Sequence, residues 1–400
     1  MTLLNDQRAI ESFIGLVGSA RWAQRMAEIG REATRSQRVG RALIEWHAVE
    51  IAIERLRRQP DAAIDTPVKK AVLAILHEVS IAHASLSQAG RARLRAALEA
   101  AMRLEMNLVP LAHLFRTAAL QRSRGFDVQY AGFEEGAAHD LLLERNGVVA
   151  ELACDVVSAE DGRDVHRSAW AQLVDRIDPD LQTWLSAHPG KYLLKLTLPL
   201  GLNAEETKLA ALHGRIRAML QEQRRADHDE ASVLRLDPLV LAAAQAGMVT
   251  NEPHLVSSLR REFGHQAHLA VSSAGQGVVV LAGRAAREDE VAVAIRRRMA
   301  VIAPTRFSGQ HPGILAMFVE ATDRTEWRYL RDQLELEGEA RQFLTHPEAR
   351  CVVAVTCASR LELFGACAPD AADDGEIRFR NPSHPAAKAA ALAPSVISTN

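Results

Sequence analysis

Through the first hundred residues, apolar positions recur every third or fourth residue. In RVGRALIEWHAVEIAIERLRRQ, the residues Leu43, Trp46, Val49, Ile53 and Leu56 fall on one stripe of a helix, and such a stripe needs a partner surface. PVKKAVLAILHEVSIAHASL and RARLRAALEAAMRLEM repeat the pattern. Residues 1–100 are therefore expected to form a helical region, fit for an internal bundle or for a dimerisation arm. From 104 the period changes. The helix LEMNLVPLAHLFRTAALQRSRG stops at Gly125, a residue free to turn left-handed. FDVQYAGF then alternates as a strand does. HDLLLERNG and VVAELACDVV read as two strands joined at Asn146-Gly147, a dipeptide suited to the two-residue hairpin. A helix over DVHRSAWAQLVDRI and a strand over KYLLKLTLPL follow.

Beyond 200 the chain alternates helices with apolar strands at HLAVSS, GVVVLAG, GILAMFVE and RCVVAVTCAS, which predicts an α/β layer. The stretch 369–400 is rich in Ala, Pro, Asp and Ser and is expected to be a disordered tail. The pattern thus divides the chain into a helical region at 1–100, an α/β core at 104–230, a second α/β region at 231–368 and the tail.

Composition narrows the function classes. Apolar residues make up 48% and charged residues 24%, with a net charge of -2, so no bulk basic signal draws the chain to nucleic acid or anionic membrane. A locally basic groove stays open to it. Only six residues are lysine, so a site that needs an ammonium group has few candidates. No apolar run reaches the roughly 20 residues that span a bilayer, and MTLLNDQRAIESFIGLVGSARW lacks a basic leader, which predicts a cytoplasmic protein without a membrane partner. Cys154, Cys351, Cys357 and Cys367 form no CxxC pair and read as reduced thiols. His254, His265 and His268 lack the further ligands a zinc site needs. His47 and His113 read as helix-surface or core-edge residues. GQGVVVLAG has its glycines before the strand and reads as a turn. Arg260, Arg261 and Arg296 to Arg298 read as solvated helix charges, or as phosphate contacts should the chain bind nucleic acid. Arg306 and Gln310 are candidates to line a groove.

The hairpin is where chemistry concentrates. Asp140 opens one apolar run and Glu151 sits inside the next, where a carboxylate is costly unless a cation, a metal or a donor compensates it. Alternation puts Glu151, Ala153 and Asp155 on one face, and the antiparallel partner can bring Asp140 beside them. Paired carboxylates are ligands of the kind Mg²⁺ prefers. The plainer reading has Asp140 capping a strand end and Glu151 paired with Arg163 or Arg167.

The order of elements from 104 to 200 (helix, three-stranded meander, helix, strand) resembles the PD-(D/E)xK superfamily of restriction-endonuclease-like nucleases. Asp140 matches that motif's Asp and Glu151 its acidic residue, while the lysine position falls on Ala153. The resemblance implies an α/β fold with a restriction-endonuclease-like core, a helical N-terminal region and an α/β C-terminal extension. It implies Mg²⁺- or Mn²⁺-dependent hydrolysis of nucleic-acid phosphodiesters, with DNA favoured as partner. Asp140 and Glu151 would hold the metal, Glu105 or Asp155 would assist, and Gln172 would serve from the following helix. Lys191 or Lys195, which share one strand face, would replace the missing lysine. The alternative it implies is a catalytically degenerate nuclease fold that serves in binding or assembly.

Overall fold

A computed structural model describes residues 2–59, 66–103, 105–239, 259–260, 263–264 and 266–399. His254, Arg261 and His265 lie outside them. The chain is α/β and divides into two compact units, residues 1–32, 44–159 and 292–400 forming the first and 33–43 and 160–291 the second. No helix among the described residues is long and apolar enough to cross a membrane.

The first unit is built on a six-stranded mixed sheet, in the order β1 (Asp127–Gln129), β2 (Leu141–Arg145), β3 (Val148–Ser158), β9 (Gly313–Glu320), β10 (Val352–Ser359), β11 (Ile377–Arg380). The meander β1–β2–β3 is antiparallel, as its alternation and its tight turn require, and Asn146 and Gly147 take the left-handed φ of 52° and 75° that such a turn needs. By contrast, β9 and β10 run parallel to β3, and all eight residues of each are buried. Burial on both faces explains their continuous apolar runs.

The apolar stripes of the N-terminal helices end in this sheet's core. Val49, Ile53, Leu56, Leu76 and Leu94 pack in one cluster with Leu141, Leu152, Ile314 and Phe318. For these residues the partner surface is within the chain, while Trp46 of the same stripe stays exposed. Helix α7 (Val109–Ser123) lies in the same cluster and brings His113 beneath β9. His47 and His113, expected at helix surfaces or core edges, are 1% and 2% exposed.

Two boundaries differ from expectation. The strand β4 (Lys191–Leu198) does not join β1–β3. It sits in the second unit, in a five-stranded sheet ordered β5 (Ala226–His228), β6 (Val233–Pro238), β4, β8 (Gly277–Ala285), β7 (His268–Ala274), with helix α9 (Arg167–Ala187) packed on it. The chain leaves the first unit after Ala159 and returns at Ala292, so residues 160–291 are an insertion in sequence. At its base the Glu290 N–H donates to the Gly162 carbonyl at 2.7 Å, joining the two ends of the inserted segment. The second difference is the tail. Residues 377–380 form the edge strand β11, and Leu392, Ser395 and Val396 are buried, so the Ala- and Pro-rich stretch is an ordered part of the first unit.

Candidate functional site

The hairpin register places Glu151 opposite Leu142, and the Asp140 N–H donates to the Leu152 carbonyl at 3.0 Å, one step beyond the paired segment. Asp140, Glu151, Ala153 and Asp155 accordingly share a face of the first sheet, as the alternation predicts. What meets that face is the helix α11 (Val291–Arg306) and the turn after it.

Each carboxylate there is satisfied by the chain itself. Asp140 Oδ2 accepts from the Cys154 N–H at 2.7 Å and pairs with the Arg306 guanidinium, which also donates to the Ala138 carbonyl. Both oxygens of Glu151 accept from one residue, Oε2 from the Ser308 N–H at 2.8 Å and Oε1 from its hydroxyl. His139 Nδ1 is 3.8 Å from Glu151, too far for a hydrogen bond. Asp155 holds a two-pronged contact with Arg298, at 2.6 and 2.9 Å. Arg298 and Arg306 are two turns apart on α11, so one helix supplies both cations. Loss of surrounding water raises the Asp140 carboxyl above its usual range, and the Arg306 charge and the Cys154 N–H hold that rise back. Arg163 and Arg167, the partners expected for Glu151 on the plainer reading, lie in the second unit.

Glu151 and Ser308 open onto a groove of about 670 Å³ whose wall also carries Asp127, Glu134, Glu135 and Gln310. Arg122 lines it too, with its Nε donating to Glu78 at 2.7 Å. The Ser308 hydroxyl donates to Glu151 and accepts from the Gln310 N–H at 3.1 Å, so both its donor and an acceptor site are engaged within the chain.

The remaining expected residues are elsewhere. Lys191 and Lys195 lie on β4 in the second sheet, and Lys195 Nζ stands 3.6 Å from Asp237 on the neighbouring strand. Gln172 is on α9 of the second unit. Glu105 is exposed in the turn before α7, which begins only at Val109. Ala153 is fully buried. Among the described residues no three of His, Cys, Asp and Glu form a group able to hold a metal ion. Asp140 and Glu151 as they stand do not fit Mg²⁺, which takes oxygen ligands in near-octahedral array, because the Arg306 cation already sits on Asp140 Oδ2 and Ser308 holds both oxygens of Glu151.

Sequence reading missed Ser308 and found Arg306 only as a groove residue. The available signal was TRFSGQ, a basic and hydroxyl-bearing turn just before the buried strand that pairs with β3. The four cysteines are free, and burial pushes the Cys154 and Cys357 thiols up. His268 is half-buried and packs 6.0 Å from the Trp170 ring, and loss of surrounding water lowers its pKa to about 3. No family model, no curated protein and no solved structure matches the chain.

Proposed function

We propose that this chain is a binding or assembly protein that keeps the layout of a restriction-endonuclease-like core without its catalysis. In that layout α7 is the first helix, β1–β3 the meander, and α11 with β9 the closing helix and parallel strand. The segment 160–291 then interrupts the core between its third strand and second helix. The observation that carries the reading is Ala153. The position that must orient or activate water holds a buried methyl group, and the lysines that could have replaced it belong to the other sheet. The groove beside Glu151 supports it as well, since Asp127, Glu134 and Glu135 would repel a phosphate backbone. The partner this favours is a protein. Self-association would draw on Ile44 and Trp46, which stay 44% and 37% exposed.

The second reading is a Mg²⁺- or Mn²⁺-dependent nuclease, and the three acids sharing one sheet face favour it. The two separate in one experiment. Purified protein is incubated with supercoiled, linear and single-stranded DNA and with RNA, in Mg²⁺ and in Mn²⁺. No cleavage and no gel shift are expected. Cleavage by wild type that disappears in Glu151→Gln would establish the nuclease and end the binding reading.

A further inference from the structure

The last residue of α11 and the turn after it reach both motif carboxylates within three residues, Arg306 to Asp140 and Ser308 to Glu151. We propose that Arg306 is the resident cation of this site, its guanidinium standing where the resemblance places a divalent metal, with Ser308 as the second arm of the same clamp. The inference rests on the non-catalytic reading and names what replaced the metal.

Charge supports it first. Asp155 has its own arginine, so the face is neutralised pair by pair along α11, and Glu151 alone is met by neutral donors. Placement supports it next. Arg306 also donates to the Ala138 carbonyl, so it grips the backbone leading into Asp140 as well as the side chain. A planar guanidinium with several donors can satisfy a carboxylate and a carbonyl at once, which a lysine ammonium at this position would do less well. An incidental ion pair and a resident cation differ in what their loss leaves. Removing an incidental arginine leaves a destabilised aspartate. Removing a resident cation leaves two carboxylates on one face that accept a new one.

Mn²⁺ alone is the probe, titrated by calorimetry into the full chain as wild type, Arg306→Met/Ser308→Ala, Arg306→Lys, and the double variant with Glu151→Gln added. Wild type and Arg306→Lys are expected to show no saturable binding. The double variant should bind one Mn²⁺ saturably where wild type shows none, and adding Glu151→Gln should abolish that binding. A folded double variant without saturable binding overturns the proposal, and so does saturable binding by wild type. Should circular dichroism find the double variant unfolded, Arg306→Gln carries the test by thermal shift. Mn²⁺ is then expected to raise the midpoint of the variant only, and an equal response in both proteins overturns the proposal. The non-catalytic reading fails separately, through cleavage of nucleic acid by wild type.

Discussion

The two sheets treat their charged residues differently. On the first, Asp140 and Arg306 are each about a quarter exposed, and Glu151 is buried with both oxygens bonded within the chain. On the second, Lys195 is 48% exposed, and its partner Asp237 already holds Arg235 at 3.1 Å. An enclosed group must find a partner or lose stability, while a rim group exchanges partners with water at little cost. Flanking sequence therefore marks which carboxylates need compensation, but it leaves open what compensates them. Apolar neighbours on both sides of Glu151 predicted enclosure, and the compensating donor came from 157 residues away.

The largest test of enclosure is His113, which lies beneath the first sheet with Nε2 3.0 Å from the Ala316 carbonyl. Loss of water around the ring lowers its pKa from 6.5 to about 4. Its neutral form is thus favoured in the folded state. The contribution is fully present above pH 6.5 and is lost as pH falls from 6.5 towards 4. Urea denaturation should read about 2 kcal/mol lost by pH 5 and about 3 kcal/mol below pH 4. His113→Gln keeps an N–H for Ala316 and should flatten that part of the profile. An unchanged profile would mean that the first sheet does not enclose its polar groups as described.

Much of the first unit was legible because its signals are local. The Asn146-Gly147 turn, the alternation around Glu151 and the buried runs of β9 and β10 each follow from neighbouring residues. Partnership between strands was not legible. KYLLKLTLPL reads as a strand whichever sheet receives it, so Lys191 and Lys195 were assigned to the wrong neighbours. An insertion that itself alternates helices with strands carries no break in pattern at Ala159 or Ala292. The tail misled through composition, since buried Leu392 and Val396 are too few to outweigh the surrounding Ala and Pro. For the candidate site, alternation along the hairpin puts Asp140 and Glu151 on one face, as the register has them, while Ser308 had no marker beyond lying near a buried strand.

Next in size is the Asp140–Arg306 pair. Removing one partner of a fully buried pair costs about 3–5 kcal/mol, and partial exposure here reduces the expectation for Arg306→Met to about 2 kcal/mol. Asp140→Asn should recover part of that loss, because no unpaired charge is then left behind. A double-mutant cycle in urea should give a coupling above about 1 kcal/mol. Strictly additive losses would place this pair with the rim pairs of the second sheet and remove the contrast between the two.

Lys195→Ala should have the smallest effect, below about 1 kcal/mol, as for exposed ion pairs generally. Two features of the second sheet require this. Asp237 retains Arg235 when the lysine is gone, so no carboxylate is orphaned, and the lysine's own head is already hydrated. The measurement also bears on function. If Lys195 supplied the missing catalytic ammonium, its removal would abolish nucleic-acid cleavage at nearly unchanged stability, a split that a rim ion pair cannot produce. Small loss of stability with no activity in either protein keeps Lys195 a surface charge of the inserted segment and leaves the first sheet's carboxylates to their own clamp.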